Sequence, residues 1–358
     1  VLGIELHTRR RNRVNGRVVA RDDRRLTLQV EQAFGNCPQY IQARSVTFSA
    51  DPAEPFTGHA EVLSTLDAEA NAMIRAADTF FVASYVDPEG DAGRRQVDAS
   101  HRGGKAGFVR IDGDVLTIPD FAGNLHFNTL GNLRVNPRAG LLFIDFANGD
   151  LLQLTGRTDL VLTGDEVSSF QGAERLWRLY VDKAVRRRGV LKLRWSPGEV
   201  SPNSLLTGSW EEALARQQAQ ALRHQWRRFR IARITNESST IKSFHLEAAD
   251  GAGLPLFRAG QHLPIRLAVA AGGAPVIRTY TLSAAPSDGY YRISVKREGR
   301  VSQFLHAHTA VGDEIEARAP LGNFVVDPHE RRPLVLLSAG VGITPLLAML
   351  REVVYEGV

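Results

Sequence analysis

Apolar and polar positions alternate over short stretches along most of this chain, and no uninterrupted apolar run of about 18 residues occurs. From residue 66 an amphipathic helical stretch, "LDAEANAMIRAAD", gives way to "TFFVASYV", "AGFVRI", "VLTIPD", "AGLLFIDF" and "LLQLTGRTDLV". Each of these is bounded by Gly, Asp or Asn turns, a pattern that predicts strands, with "LGNLRVNP" as a helix between two of them. The expected result is a small antiparallel barrel over residues 66–208. Within it, "AERLWRLYVDKAVRR" (173–187) spaces its apolar residues as a helix would. A Pro/Gly/Ser stretch (195–209) follows. The polar "WEEALARQQAQALRHQWRR" has high helix propensity and a thin apolar stripe, so residues 209–228 are expected to form a helical linker.

Strand patterns resume at 229 with "FRIARITNES", "IKSFHLEA", "HLPIRLAV", "VIRTYTLSAAP", "YYRISVKRE" and "DEIEARAP", interrupted by a helix at "SQFLHAHT". Residues 229–330 therefore predict a second antiparallel β-domain. The final "RRPLVLLSAGVGITPLLAMLREVVYEG" reads as a buried strand, a Gly-rich turn and a helix. That order is the opening βα unit of a parallel sheet, so residues 331–358 are expected to begin an α/β domain that continues past residue 358. The fold class is mainly β with an α/β end.

The N-terminus holds a repeat. "VLGIELHTRRRNRVNGR" (1–17) aligns without a gap to "LLFIDFANGDLLQLTGR" (141–157), with identities at Leu2/Leu142, Ile4/Ile144, Gly16/Gly156 and Arg17/Arg157. On this reading residues 1–65 are the closing part of a first, truncated copy, and 66–208 are a second, intact one.

Composition narrows the chemistry. One cysteine, Cys37, excludes an intrachain disulfide framework and a thiolate-held zinc or iron–sulfur site within these residues, and it fits a cytoplasmic protein. The net charge of +5 is concentrated in "RRRNR" (9–13), "VRRRG" (185–189) and "QWRRFR" (225–230), which read as solvated surface able to attract phosphates or an acidic partner. No reader motif accompanies that charge, so nucleic acid is not expected as a partner. His306 and His308 lie two apart on a predicted helix and do not share a face, no metal-ligand spacing is present, and no nucleophile elbow is found. His101 beside Arg102 fits a surface loop better than a ligand contact.

One short run does suggest a ligand. In "RTYTLS" (278–283), strand alternation puts Arg278 and Tyr280 on one face and Thr279 and Thr281 on the other. Farther on, Gly299 and Ser302 open a predicted helix, with Ser302 at the expected N-cap. Free N–H groups and the positive dipole end there suit a pyrophosphate as well as an ordinary cap. Arg278 can pair with a phosphate, and Tyr280 can stack on a planar heterocycle. A flavin dinucleotide has both groups.

The order R-x-Y-S/T (Arg278–Thr281), V-K-R (Val295–Arg297), G-x-x-S-x-x-L-H (Gly299–His306), P-L-G-N-F (Pro320–Phe324) and A-G-V-G-I-T-P (Ala339–Pro345) resembles the ferredoxin-NADP reductase-like flavoproteins. The resemblance implies a six-stranded antiparallel FAD-binding barrel followed by a nucleotide-binding α/β domain. Arg278 would contact the flavin phosphate and Tyr280 the isoalloxazine or its ribityl chain. Thr281, where the family usually has Ser, would hydrogen-bond near the reactive N5. These last two are the implied catalytic residues. Val295, Lys296, Gly299, Val301 and Ser302 would complete the cradle, and the turn with Gly340, Gly342, Thr344 and Pro345 would receive NADH or NADPH. That turn lacks the third glycine of ordinary dinucleotide folds; its glycines allow close backbone approach, and Pro345 fits the first helical turn.

Residues 66–162 resemble the pyridoxamine 5'-phosphate oxidase-like split barrel, an FMN-binding fold, through "GKAGFVRI", "LTIPD", "NTLGNLRVNPRAGLLFIDF" and "LLQLTGR"; "NCPQYI" (36–41) resembles the same group. The resemblance puts Lys105 and Arg110 beside the FMN strand, while the family's Arg-Lys phosphate pair falls on Asn128 and Thr129. Two cations are thus replaced by hydrogen-bonding side chains, which leaves open whether FMN binds or the barrel serves as a docking platform. Two modules in one chain can mimic the family's dimer; a homodimer is the alternative. The sequence reads as an oxidoreductase passing electrons from NAD(P)H through FAD to an acceptor: an iron–sulfur domain, the split barrel or a separate protein. The rival reading is a non-catalytic flavin-binding scaffold or sensor.

Overall fold

A computed structural model describes residues 1–23, 25–51, 54–123, 127–269, 272–327 and 333–356. The chain divides into two compact units, Val1–Glu211 and Glu212–Val358. The division falls inside the helical segment expected between domains. The expected boundary at 330/331 lies outside the described residues. Among the described residues, no helix is long and apolar enough to cross a membrane.

The N-terminal unit opens with an antiparallel sheet of β1 (Leu2–Glu5), β2 (Arg10–Arg21) and β3 (Leu26–Asn36). After β4 (Arg44–Phe48) and β5 (Ala60–Leu63), Asp67 caps helix α1 (Ala68–Ala76) by accepting from the Ala70 N–H at 2.8 Å. The barrel strands are β6 (Thr79–Val86), β7 (Gln96–Gly103), β8 (Arg110–Asp112) and β9 (Val115–Phe121), followed after helix α2 (Asn128–Val135) by β10 (Arg138–Ile144) and β11 (Leu151–Val161). A short helix α3 (Asp165–Ser169) leads to β12 (Ala173–Arg187). The sheet order is β7-β6-β10-β11-β12-β9-β8, with β5 also on β12. Phe80 anchors the core, with ring centroids 5.8 Å from Phe108, 5.2 Å from Phe143 and 6.4 Å from Trp177. Burying each such ring stabilises the unit by about 1.5–3 kcal/mol.

Residues 173–187 are thus a strand and not the helix their spacing suggests. Pairing with β11 shifts register between Thr155 and Gly156, which inserts Asp182 as an extra residue. Trp177 and Leu179 face inward before the bulge, and Ala184 and Arg186 after it. This phase slip puts Trp177 and Ala184 seven residues apart, an interval that mimics a helical stripe.

The bulge has a counterpart. In the first hairpin Leu2 pairs with Arg13 and Ile4 with Arg11, and 140 positions later Leu142 pairs with Gln153 and Ile144 with Leu151. The β2/β3 register slips between Asn15 and Gly16, the position equivalent to Gly156. At both glycines the opposite strand crosses at once: a Cβ on Gly16 would lie 2.1 Å from the Gln29 carbonyl oxygen, and one on Gly156 2.0 Å from that of Tyr180. β4 pairs with β13 (Leu193–Pro197) about the Val46–Trp195 pair, Arg44 meeting Pro197 and Phe48 meeting Leu193.

Each basic run also departs from a purely solvated surface. Arg13, Arg186 and Arg227 are buried, because a strand turns alternate residues inward. Arg13 pairs with Asp98, and Arg186 with Asp67, Glu61 and Glu69. Arg227 grips Asp250 through two bonds of 2.8 Å.

Helices α4 (Pro202–Leu205) and α5 (Trp210–Ala221) precede the C-terminal unit's barrel. Its strands are β14 (Arg227–Asn236), β15 (Ile241–Ala248), β16 (His262–Leu267), β17 (Val276–Thr281), β18 (Tyr291–Lys296) and, after helix α6 (Arg300–His308), β19 (Glu314–Ala317). All six form one antiparallel sheet in the order β17-β16-β19-β14-β15-β18. A bridge between Leu282 and Ile293 brings its two ends together around a core that includes Phe229, Phe244 and Tyr291. The expected strand "PLVLL" does not form: residues 333–339 are irregular, with Val335 75% and Leu337 86% exposed. A parallel strand needs a neighbour on its edge, and no strand pairs with this run among the described residues. The helix after the glycine turn does form, as α7 (Ile343–Glu356).

Candidate functional sites

In the C-terminal unit, Arg278 and Tyr280 share a face of β17, opposite Ile265 and Leu263 of β16. Arg278 is exposed; its guanidinium donates to the Ile277 carbonyl at 2.8 Å and has no carboxylate partner among the described residues. Tyr280 is half-buried against the barrel core, and burial raises its phenol pKa. From the Leu282–Ile293 bridge, the chain running back through Thr281 and Tyr280 lies beside the chain running on to Val295 and Lys296.

Other predicted residues play narrower parts. Val295 and Val301 point into the core, so only their backbone groups are available to a ligand. Lys296 pairs with Glu298. Gly299, not Ser302, is the N-cap of α6. Ser302 sits one turn in, where its hydroxyl accepts from the Gly299 N–H at 2.9 Å and donates to the Gly299 carbonyl at 2.9 Å. A serine three residues after the cap reaches back to it as readily as a capping serine reaches forward. The first-turn N–H groups of α6 lack intrahelical acceptors, as in any helix, and suit an anion.

Gly340 and Gly342 bound a single 3₁₀ turn entering α7, with Gly340 at φ 55°. Thr344 donates to the Val341 carbonyl at 2.9 Å instead of capping the helix, and Pro345 lies in the first turn of α7. That helix is fastened to the barrel by Arg351 and Tyr355, which hold Asp288 at 3.1 and 3.0 Å.

In the N-terminal unit a cleft of about 150 Å³ opens between the first hairpin and the barrel. Asn128 and Thr129 line it, but Lys105 and Arg110 do not. Thr129 is already engaged, donating to Asp98 at 2.9 Å. Arg110 faces another way, paired with Glu166 at 2.8 Å and lying over the Trp210 ring at 4.1 Å. Arg110→Ala is accordingly expected to lower the unit's stability by about 1–2 kcal/mol in urea denaturation and to leave flavin content unchanged.

The cleft residues that sequence reasoning missed are Arg11, Arg13, Tyr40, His101 and Arg102. The last two belong to β7, not to a surface loop; His101 is only 6% exposed. Tyr40 comes from the N-terminal half, and its hydroxyl donates to the Ala122 carbonyl at 2.9 Å. Its own carbonyl oxygen would sit 2.1 Å from a Cβ on Gly103, so only glycine allows the two halves to close. The signal available in the sequence was "NCPQYI", which contains Tyr40 but does not single it out and says nothing of the arginines.

Burial, helped by Arg11, Arg102 and Arg44, lowers the His101 pKa to about 3. The imidazole is therefore neutral in the folded protein at neutral pH. Since the unfolded chain takes up a proton near 6.5, stability is unaffected above that pH and falls as pH drops from 6.5 toward 3. We expect about 2 kcal/mol to be lost from this one group between pH 8 and pH 5, and His101→Gln to flatten that part of the profile in denaturant titrations.

Residues 66–198 match the pyridoxamine 5'-phosphate oxidase family, and residues 228–326 match the oxidoreductase FAD-binding domain. The chain thus joins a segment similar to that oxidase family to a barrel similar to that FAD-binding domain. Curated relatives include the flavohemoprotein of Pseudomonas aeruginosa, 52% identical over 35% of this chain and 32% of its own length. That of Chromobacterium violaceum is 46% identical over 37% and 35%. This chain spans about a third of those relatives. A solved FAD/NAD-binding domain of nitric oxide dioxygenase from Vibrio cholerae is 38% identical, with 36% of this chain and 57% of that one covered and a TM-score of 0.35.

Proposed function

We propose that this protein is an NAD(P)H-dependent flavoprotein reductase, acting in the cytoplasm and using the C-terminal barrel to hold FAD. The observation that carries this reading is an exposed guanidinium without a carboxylate partner among the described residues, beside a half-buried phenol on β17, in a barrel that matches an FAD-binding family. These residues fit the cofactor: Arg278 offers donors to a phosphate, Tyr280 a ring face, and α6 its first-turn N–H groups. Thr281 keeps a hydroxyl at the rim for hydrogen bonding to the ring. When bound, FAD supplies the redox chemistry, accepting hydride from the nicotinamide and releasing electrons to an acceptor. The chain orients the ring, and the Gly340–Gly342 turn lets backbone approach the nicotinamide dinucleotide. The acceptor is an iron–sulfur domain, a separate protein or the split barrel.

The test is spectroscopic. Full-length protein reconstituted with FAD is expected to be yellow and to bleach anaerobically with NADH or NADPH. Protein that binds FAD but is not bleached by either nucleotide would be a scaffold or sensor, and the reductase reading would fail.

A further inference from the structure

Two elements of the C-terminal unit with different proposed ligands are tied together at one buried carboxylate. The chain leaving β17 passes through Leu282, Ser283, Ala284 and Ala285, all fully buried, and closes a 3₁₀ turn at Pro286–Asp288. Asp288 Oδ2 accepts the Ala285 N–H at 2.8 Å and meets the Arg351 guanidinium at 3.1 Å, while Oδ1 accepts the Tyr355 hydroxyl at 3.0 Å. The Asp288 side chain is only 6% exposed, so these contacts are made largely out of water. A carboxylate so placed is held by charge-assisted, directional bonds, and removing its cation leaves a buried charge uncompensated.

Arg351 and Tyr355 lie in the second half of α7, and the Gly340–Gly342 turn stands at the helix's other end. Between them is an apolar seat, where Leu346, Ala348 and Met349 pack with Ala259 in a buried cluster of their own. The seat is tight, since a Cβ on Gly260 would lie 2.5 Å from the Met349 Cε. Apolar burial is non-directional, however, and fixes where a helix sits better than the angle at which it lies. Ile343 and Met349 are about 9 Å apart along the helix, so a tilt of about 6° about the seat moves the turn by about 1 Å. A displacement of that size at a reacting centre lowers a rate by on the order of 100-fold.

We infer that Asp288 is a positioning residue for hydride transfer: from the far arm of this lever it locks α7 at the angle that sets the dinucleotide turn against the flavin strand. The loop it closes continues directly from Tyr280 and Thr281, so flavin strand and nucleotide helix are fixed to each other through one carboxylate.

The rate arm of the test rests on the reductase reading, and the exchange arm does not. In full-length apoprotein, Asp288→Asn removes the charge and keeps the shape. Amide hydrogen exchange is expected to rise at least about threefold across residues 339–346, at the end of α7 remote from the substitution. A role confined to the latch itself would raise exchange only around 351–355. With FAD bound, the variant should hold the flavin within about threefold of the wild type, yet be bleached by saturating NADH or NADPH roughly 10- to 100-fold more slowly. Arg351→Gln should slow bleaching to a similar extent, and the double variant no further than either single one, since both break the same bond. If Asp288→Asn does not fold, Tyr355→Phe, at a position 37% exposed, loses only the hydroxyl and should give smaller changes of the same kind. Unchanged exchange at the turn in a folded variant, or bleaching at the wild-type rate, would overturn the assignment. Should the wild type bind FAD without being bleached by either nucleotide, the reductase reading fails, and exchange at the turn still decides whether Asp288 sets the helix angle.

Discussion

Gly156→Ala should destabilise the N-terminal unit by about 3 kcal/mol or more, lowering its melting temperature by roughly 6–12 °C, whereas Gly140→Ala, on the adjacent strand, should change it by less than about 0.5 kcal/mol. Both glycines lie within strands of one sheet and neither has a positive φ, so conformational preference does not separate them. Space does. A Cβ on Gly140 would meet nothing closer than the Leu154 oxygen at 3.8 Å, but on Gly156 it would fall 2.0 Å from the Tyr180 oxygen and 3.1 Å from the Val181 Cα. Those atoms are backbone of β12, which is held on its far edge by β9 and β5 and cannot yield without breaking its ladders. Gly16→Ala makes the same collision, at 2.1 Å, in the hairpin sheet, where β3 is largely exposed and can bend away. A smaller loss, about 1–2 kcal/mol, is expected there. Urea denaturation of the three variants decides the matter. A Gly156→Ala protein as stable as the wild type would remove the close crossing, and with it the best physical support for equivalence of the two hairpins.

That comparison also shows what the sequence could and could not convey. Gly16 and Gly156 stood out in an ungapped alignment because the turns between the paired strands are of equal length, so their equivalence was legible. β12 was not, because the inserted Asp182 breaks the two-residue period that identifies a strand. The apolar "PLVLL" looked like a buried strand, yet the strand's existence depends on a neighbour's edge, which local pattern does not encode. Arginines in a basic run look alike whether solvated or alternately buried; Arg13, Arg186 and Arg227 were distinguished only once Asp98, Asp67 and Asp250 had been brought to them. The face of β17 proposed to meet the flavin was legible for the opposite reason, since Arg278 and Tyr280 are two apart on one strand. The cleft joins Arg11 to His101 across ninety positions, and Arg110 lies outside it because its partners Glu166 and Trp210 are equally remote in sequence.

The largest functional effect is expected at Arg278. Because its side chain is exposed and, among the described residues, its guanidinium hydrogen-bonds only the neighbouring Ile277 carbonyl, Arg278→Ala should leave the unfolding midpoint of the apoprotein unchanged. Its affinity for FAD should nonetheless fall roughly 10- to 100-fold, the worth of a charge-assisted hydrogen bond to phosphate, and Arg278→Lys should recover only part, since an ammonium cannot reproduce the two-pronged grip of a guanidinium. Tyr280 separates ring from hydroxyl: Tyr280→Phe keeps the stacking face and should bind within about threefold of the wild type, while Tyr280→Leu should lose up to about tenfold. Because Tyr280 also packs on the barrel core, its variants need the unfolding control that Arg278 passes by construction. Fluorescence quenching of FAD on titration with apoprotein measures all four. If Arg278→Ala binds FAD as the wild type does, the phosphate is held elsewhere, and the first turn of α6 would have to bear the charge alone.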